Sequence, residues 1–146
     1  MEFKKRELSL NNLIGLTAPL NSDDDVFNQV ERIGQELKRQ LIENEYYTNG
    51  PIIFKYNPFK DQEISIFTTI GNQVNIIGEN ELSIEFFQHF DLETNYYYRH
   101  YDETEAIPYS EIKNKINESG KILKTIYHVI LDFYNETILD LYCEVE

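Results

Sequence analysis

Hydrophobic and polar residues alternate along several stretches of the chain, which is the pattern of half-buried β-strands. Residues 4–18 alternate and then continue into a short apolar run, so they predict a first strand with a kink at Asn11-Asn12. Residues 51–56 and 63–70 are two further strand-like stretches, and the turn between them starts at Asn57-Pro58. Together these two stretches predict a β-hairpin.

A helical period replaces the alternation over residues 23–46. Apolar residues recur there every three or four positions and form a single stripe, made of Val26, Val30, Ile33, Leu37 and Leu41. Ser22, followed by three aspartates, is typical of a helix start because its side chain can accept hydrogen bonds from the first turn. Asn49-Gly50-Pro51 is expected to end this first helix.

The second half of the chain predicts a strand, a helix and a final strand. Residues 75–78 fit a short edge strand, and residues 83–90 fit either a strand or a short helix, with the strand preferred. Residues 94–102 predict a tyrosine-rich strand that carries Tyr96, Tyr98 and His100 on one face. A second long helix is expected from Pro108 to about Tyr134, and residues 137–145 alternate as the last strand.

This order of elements predicts an α+β protein built from two β-α-β-β-like units. The simplest arrangement is a curved antiparallel sheet with two long helices packed on one face. Residues 1–146 would form a single domain, since a chain of this length can bury a sizeable core. The concave face of the sheet would then be free for a ligand.

Composition narrows the classes of function. The chain has 26 acidic and 13 basic residues, a formal net charge of −13, which argues against binding to nucleic-acid phosphates. Its 41% hydrophobic content argues against a disordered chain, and its single cysteine excludes an internal disulfide framework. No apolar run approaches the length of a membrane span, so we expect a soluble, cytoplasmic protein that does not bind membranes.

The tyrosines provide the main candidate chemistry. The last strand places Asp140, Tyr142 and Glu144 on one face, and several other tyrosines precede it in sequence: Tyr96, Tyr97, Tyr98, Tyr101 and Tyr109. Aromatic rings beside a carboxylate suit hydrophobic cations, because the ring face and the charge both attract them. The alternative is that these tyrosines only pack in the core or lie on the surface.

Catalytic and metal-binding patterns are not evident. The three histidines lack metal-ligand spacing, and Cys143 is expected to be a buried, unreactive thiol on the apolar side of the last strand. No nucleophile motif or glycine-rich phosphate loop is present. We therefore expect no metal and no cofactor, and a non-catalytic function is preferred over an enzyme.

The layout resembles the GyrI-like family, which includes effector-binding domains of multidrug-sensing transcription regulators. The resemblance spans roughly residues 4–146 and uses short motifs: Asn49-Gly50-Pro51 after the first helix, Asp61-Gln62-Glu63 in the hairpin, Ile107-Pro108-Tyr109 before the second helix, and Asp140-Leu141-Tyr142 in the last strand. Where the family has a glutamate that contacts cationic ligands, this chain has Asp140. The chain is also similar to small proteins of low-GC Gram-positive bacteria.

The resemblance implies a stand-alone domain that senses or sequesters a small hydrophobic or cationic ligand. The ligand-binding residues expected on the concave face are Glu63, Tyr96, Tyr98, Asp140 and Tyr142. The segment before the first helix is too short for a helix-turn-helix, so any regulatory output would pass through another protein. The alternative function is an acidic adaptor or inhibitor, of the immunity type, that binds a basic protein partner.

Overall fold

A computed structural model describes residues 1–21, 23–71, 84–101 and 105–146 of the chain. Its elements, in chain order, are β1 (Lys4–Pro19), α1 (Val26–Glu43), β2 (Ile53–Tyr56), β3 (Glu63–Thr69), β4 (Ile84–His100), α2 (Tyr109–Glu118), β5 (Leu123–Phe133) and β6 (Glu136–Val145). The protein is mixed α/β, and its six strands form an antiparallel sheet in the order β1-β3-β2-β5-β6-β4.

The order β-α-β-β occurs twice along the chain, as predicted. The first strand, the first helix, both strands of the hairpin, the strand over residues 84–90 and the last strand are confirmed, with ends moved by a few residues. The kink predicted at the asparagine pair corresponds to Asn12, whose φ of 55° is left-handed. The edge strand predicted over residues 75–78 and the cap predicted at Ser22 lie outside the described residues.

One compact unit comprises Ser9–Phe54 and Gln62–Phe90, and it contains α1 and the β1–β3 pair. β1 and β3 run antiparallel, with Gly15 opposite Phe67. The even-numbered residues of β3 are buried, as its alternation predicts. α1 buries the stripe of Val30, Leu37 and Leu41. The buried side chains of this unit therefore come mainly from the stripe of α1 and from β1, β2 and β3.

The bounds of α1 correct the prediction for its two ends. The three aspartates precede the helix instead of forming its first turn, and Asp25 is the N-cap residue. The helix ends at Glu43, before the predicted stop at residues 49–51, and Glu45 takes a left-handed φ of 67°. A left-handed residue just beyond a helix ends it by the same geometry that usually favours glycine. The sequence did not predict this helix end, because glutamate rarely takes the left-handed conformation that follows a helix.

The other compact unit comprises Met1–Leu8, Lys55–Asp61 and Asp91–Glu146. Its centre is a long hairpin in which β5 and β6 are paired from Leu123↔Val145 to Phe133↔Glu136. Only Tyr134 and Asn135 connect the strands, and both have positive φ, as a two-residue type I′ turn requires. α2 packs on one face of this hairpin.

The predicted long second helix is wrong beyond Glu118. α2 has ten residues and ends in a Schellman motif: Gly120, at φ 85°, donates its N–H to Asn117, and the N–H of Lys121 bonds to Ile116. Residues 123–133 form β5 instead. Because this strand is buried on both faces, its apolar residues do not alternate and they mimic a helical period. That both helices pack on one face of the sheet stays a prediction.

None of the helices in the described part of the chain is long and apolar enough to cross a membrane.

Candidate functional site

The β5–β6–β4 part of the sheet has two chemically different faces, and the alternation along β6 separates them. Leu139, Leu141 and Cys143 belong to the face that packs in an apolar cluster with α2. Asp140 and Tyr142 belong to the opposite face, since successive side chains of a strand point to opposite sides. The residues paired with these two in neighbouring strands share that face.

We call this opposite face the tyrosine face and define it by Tyr97, Arg99, Tyr127, Asp140 and Tyr142. Tyr97 lies opposite Tyr142 and Arg99 lies opposite Asp140 across β4 and β6. Tyr127 lies opposite Tyr142 across β5 and β6. The three tyrosines and the aspartate are all buried. The tyrosine face therefore combines aromatic rings with a charge that must be compensated locally.

Asp140 is the centre of hydrogen bonding on the tyrosine face. The Tyr97 hydroxyl donates to Asp140 Oδ1 at 2.7 Å. Arg99 donates from Nε to the same oxygen at 2.6 Å and from Nη2 to Oδ2 at 2.9 Å. Such a bidentate pair is among the stronger protein hydrogen bonds, and it compensates a carboxylate whose residue is only 5% exposed.

A second guanidinium group reaches the tyrosine face from β1. Arg6 Nη1 lies 3.8 Å from Asp140 Oδ2, and Arg6 Cζ lies 4.4 Å from the centroid of the Tyr97 ring. The Tyr97 and Tyr142 rings are 5.0 Å apart and tilted by 54°. The Arg6 side chain is 48% exposed, so water reaches the tyrosine face at this residue.

Burial raises the pKa of the tyrosines on this face. It raises the pKa of Tyr97 to about 12, and the hydrogen bond to Asp140 adds to the effect. The pKa of Tyr127 is also raised to about 12, and that of Tyr142 is raised as well, both chiefly by burial. The hydrogen bonds to Asp140 raise the pKa of Arg99. At neutral pH the face therefore presents neutral phenols and fully charged guanidinium groups.

The structure brings two of the predicted site residues together and separates two others from them. Asp140 and Tyr142 are neighbours on the tyrosine face. The prediction that Tyr96 and Tyr98 share this face is wrong, because Tyr98 lies opposite Leu141 in the β4–β6 register. Both of these tyrosines pack against the apolar cluster on the helix side, and the Tyr96 hydroxyl is 2.6 Å from Ser119 Oγ.

Glu63, the remaining predicted site residue, belongs to the unit built on β1, β3 and α1. It is the first residue of β3, it lies opposite Pro19, and it is exposed. Its role in binding stays a prediction.

Four residues that surround Asp140 or Tyr142 are absent from the predicted ligand-binding residues, although Tyr97 was among the candidate tyrosines: Arg6, Tyr97, Arg99 and Tyr127. Tyr97 and Arg99 could have been found from the alternation along β4, had the pairing register with β6 been known. Tyr127 was missed because residues 123–133 were interpreted as helix. Arg6 carries no local signal, since its contacts are more than 90 residues away in sequence.

The histidines and the cysteine have structural surroundings. His100 Nε2 lies 3.0 Å from the Glu105 carbonyl oxygen, and the buried His128 has its Nε2 2.8 Å from the Tyr109 hydroxyl. Cys143 is buried, as predicted, and burial raises the pKa of its thiol to about 12. Within the described ranges, no group of three or more histidine, cysteine or acidic side chains is placed to hold a metal ion.

A separate depression of about 640 Å³ follows the polar side of α1. Its lining is polar throughout: Asn28, Glu31, Arg32, Gln35, Glu36 and Arg39. Glu36 and Arg39 are paired with each other at the surface. Because all six lining residues are polar and exposed, the tyrosine face, with its buried aromatic rings, is the stronger candidate site.

The described elements define a mixed α/β fold with a repeated β-α-β-β order. Solved structures of other proteins have a similar fold. The chain is similar to the EcmrR C-terminal domain, with a TM-score of 0.67 and 8% sequence identity over 100% of this chain and 99% of that one. It is also similar to SAV2435, solved bound to tetraphenylphosphonium, with a TM-score of 0.57 and 13% identity over 100% and 94% of the two chains. At these identities the similarity shows the fold alone, which is consistent with a GyrI-like domain.

No protein-family model matches the chain, and no curated protein matches its sequence.

Proposed function

We propose that residues 1–146 act as a single GyrI-like domain that binds a small hydrophobic cation at the tyrosine face. The observation that carries this proposal is the placement of Asp140 among Tyr97, Tyr127 and Tyr142 on one face of the sheet. Aromatic ring faces and a carboxylate attract an organic cation by complementary electrostatics, while the rings cover its apolar surface.

Two further features support this proposal. The buried Thr125 Oγ1, which lies on the same face opposite Glu144, has no hydrogen-bond partner among the described residues. A ligand with a polar group could satisfy this hydroxyl. SAV2435, whose fold this chain shares over its full length, was solved with tetraphenylphosphonium, a hydrophobic cation.

Calorimetric titration with tetraphenylphosphonium tests the proposal. We expect saturable binding to the wild-type chain and weaker binding of triphenylphosphine oxide, which is neutral but has similar rings. Asp140→Asn should weaken tetraphenylphosphonium binding by about tenfold, which corresponds to a loss of about 1.4 kcal/mol of attraction between the carboxylate and the cation.

Asp132→Asn is the matched control, since it removes the same charge from an exposed position in β5. It should leave the affinity unchanged. Circular dichroism would establish that both variants are folded. Equal losses of affinity in the two variants would contradict a site at Asp140.

The net charge of −13 favours a second candidate function, binding of a basic protein partner. A chain that binds no organic cation but captures a basic protein in a salt-sensitive pull-down would support this second function instead.

A further inference from the structure

Arg6 lies on the tyrosine face where an organic cation would be expected to bind. Its guanidinium group lies over the face of the Tyr97 ring, 4.4 Å from the centroid, and 3.8 Å from Asp140 Oδ2. A ring face and a carboxylate beside a positive group are the two interactions expected for a bound hydrophobic cation. The side chain thus makes within the protein the contacts that the proposed ligand would make.

We propose that Arg6 is an internal surrogate for the cationic ligand, and that a ligand binds by displacing the Arg6 guanidinium group from Tyr97 and Asp140. The inference rests on the proposed function and names the residue that limits affinity at that same site.

The two arginines differ in how firmly they are held. Arg99 makes two short hydrogen bonds to Asp140, at 2.6 and 2.9 Å, and its side chain is 34% exposed. Arg6 has a longer ion pair with Asp140, at 3.8 Å, and its own side chain is 48% exposed. It also lies over the Tyr97 ring and is hydrogen-bonded to the Tyr142 side chain. A single ion pair at 3.8 Å is weaker than the bidentate pair that Arg99 makes at 2.6 and 2.9 Å, so Arg6 can move into solvent while Arg99 stays in place.

Displacement also changes the charge of the site. With Arg6 in place, two guanidinium groups face the single carboxylate of Asp140, and this excess of positive charge repels a cation. With Arg6 in solvent, Arg99 and Asp140 balance each other. The nearby Glu144 does not offset the excess, because Lys124 lies 3.1 Å from it. Arg6 therefore competes with the ligand both for space and for charge.

The test compares Arg6→Gln with Lys5→Gln by calorimetric titration with tetraphenylphosphonium. Lys5 is the adjacent residue of β1, it is 69% exposed, and it is paired with the exposed Glu93, so the two variants change the net charge equally. Removing Arg6 should tighten binding by about three- to tenfold, because the ligand would no longer compete with the guanidinium group for Tyr97 and Asp140. Lys5→Gln should bind like the wild type.

The neutral triphenylphosphine oxide separates charge from space. Arg6→Gln should increase the affinity for this neutral compound less than the affinity for tetraphenylphosphonium. The neutral compound competes with Arg6 for space only, and the cation competes for both space and charge. An affinity of Arg6→Gln for tetraphenylphosphonium that is equal to or weaker than that of the wild type would overturn the surrogate role and leave the proposed function intact. If neither the wild type nor Arg6→Gln bound tetraphenylphosphonium, both the proposed function and the surrogate role would be refuted.

Discussion

Asp140 shows how a single residue organises the chemistry around it. Its carboxylate accepts from Tyr97 and Arg99, so one buried charge holds two side chains of β4, and it lies near a third, Arg6, from β1. The sequence identified Asp140 and Tyr142 correctly as neighbours on one face of the last strand. It could not supply their partners, because partners across a sheet depend on the pairing register and not on spacing along the chain.

The buried tyrosines predict how stability depends on pH. Their folded-state pKa is raised, to about 12 for Tyr97 and Tyr127, above the ordinary value of 10.0. The unfolded chain therefore releases these protons first as the pH rises. The free energy of unfolding should be unaffected by these groups below pH 10 and should fall progressively between pH 10 and about 12.

Tyr127→Phe should reduce the slope of that fall, because it removes one of the buried hydroxyl groups. Tyr134→Phe is the control, since Tyr134 is 87% exposed and lies in the turn after β5. Chemical denaturation at several alkaline pH values, together with the ultraviolet absorbance of tyrosinate, measures both effects. Identical slopes for the two variants would contradict a contribution from burial.

At the scale of elements, the strands with one buried face were the most predictable. Residues 63–70 alternate because one face of β3 is buried throughout and the other is buried only at Phe67. The apolar stripe of α1 follows the same logic with a helical period. β5 was not predictable from its period, because both of its faces are buried. The signal that could have corrected it is Gly120, which ends α2 before the β-branched run begins.

Two glycine substitutions should differ clearly in their effect on stability. A methyl group at Gly15 would lie 2.2 Å from the Ile66 carbonyl oxygen and 2.3 Å from the Phe67 ring, so Gly15→Ala forces β1 and β3 apart. Overpacking of this kind costs about 1–3 kcal/mol. At Gly34 the added methyl group would make an ordinary contact with Ile52 at 3.4 Å. Since alanine favours helix over glycine by about 1 kcal/mol, Gly34→Ala should leave α1 equally or more stable.

Thermal and urea denaturation of the two glycine variants would measure these effects. If Gly34→Ala lost as much stability as Gly15→Ala, the distances from the added methyl group to its neighbours would not explain the change in stability.

At the scale of the whole molecule, the formal net charge of −13 acts on any charged ligand before contact. Such a charge attracts cations from a distance and raises their association rate, and dissolved salt screens the attraction. We expect the association rate constant of tetraphenylphosphonium to fall as salt rises from about 0.01 M to about 0.15 M, over which the Debye length shrinks from about 30 to about 8 Å.

The dissociation rate constant should change much less over the same range, because it depends mainly on contacts within the complex. Stopped-flow fluorescence with triphenylphosphine oxide as the neutral comparison separates steering from other effects of salt. The same salt dependence for the cation and for the neutral compound would rule out steering by net charge.

The two-residue turn at Tyr134 and Asn135 has a consequence for the order of folding. It joins strands paired over ten residues or more, so the β5–β6 contacts are the most local ones of the sheet, and a hairpin of this type can form within about 1–10 μs. We expect the hairpin to be an early folding nucleus, with β4 added later. The turn then sets the alternation of Asp140 and Tyr142 before any of their partners from β4 arrive. One residue inserted into it would shift the register and exchange the two faces of β6 relative to β5.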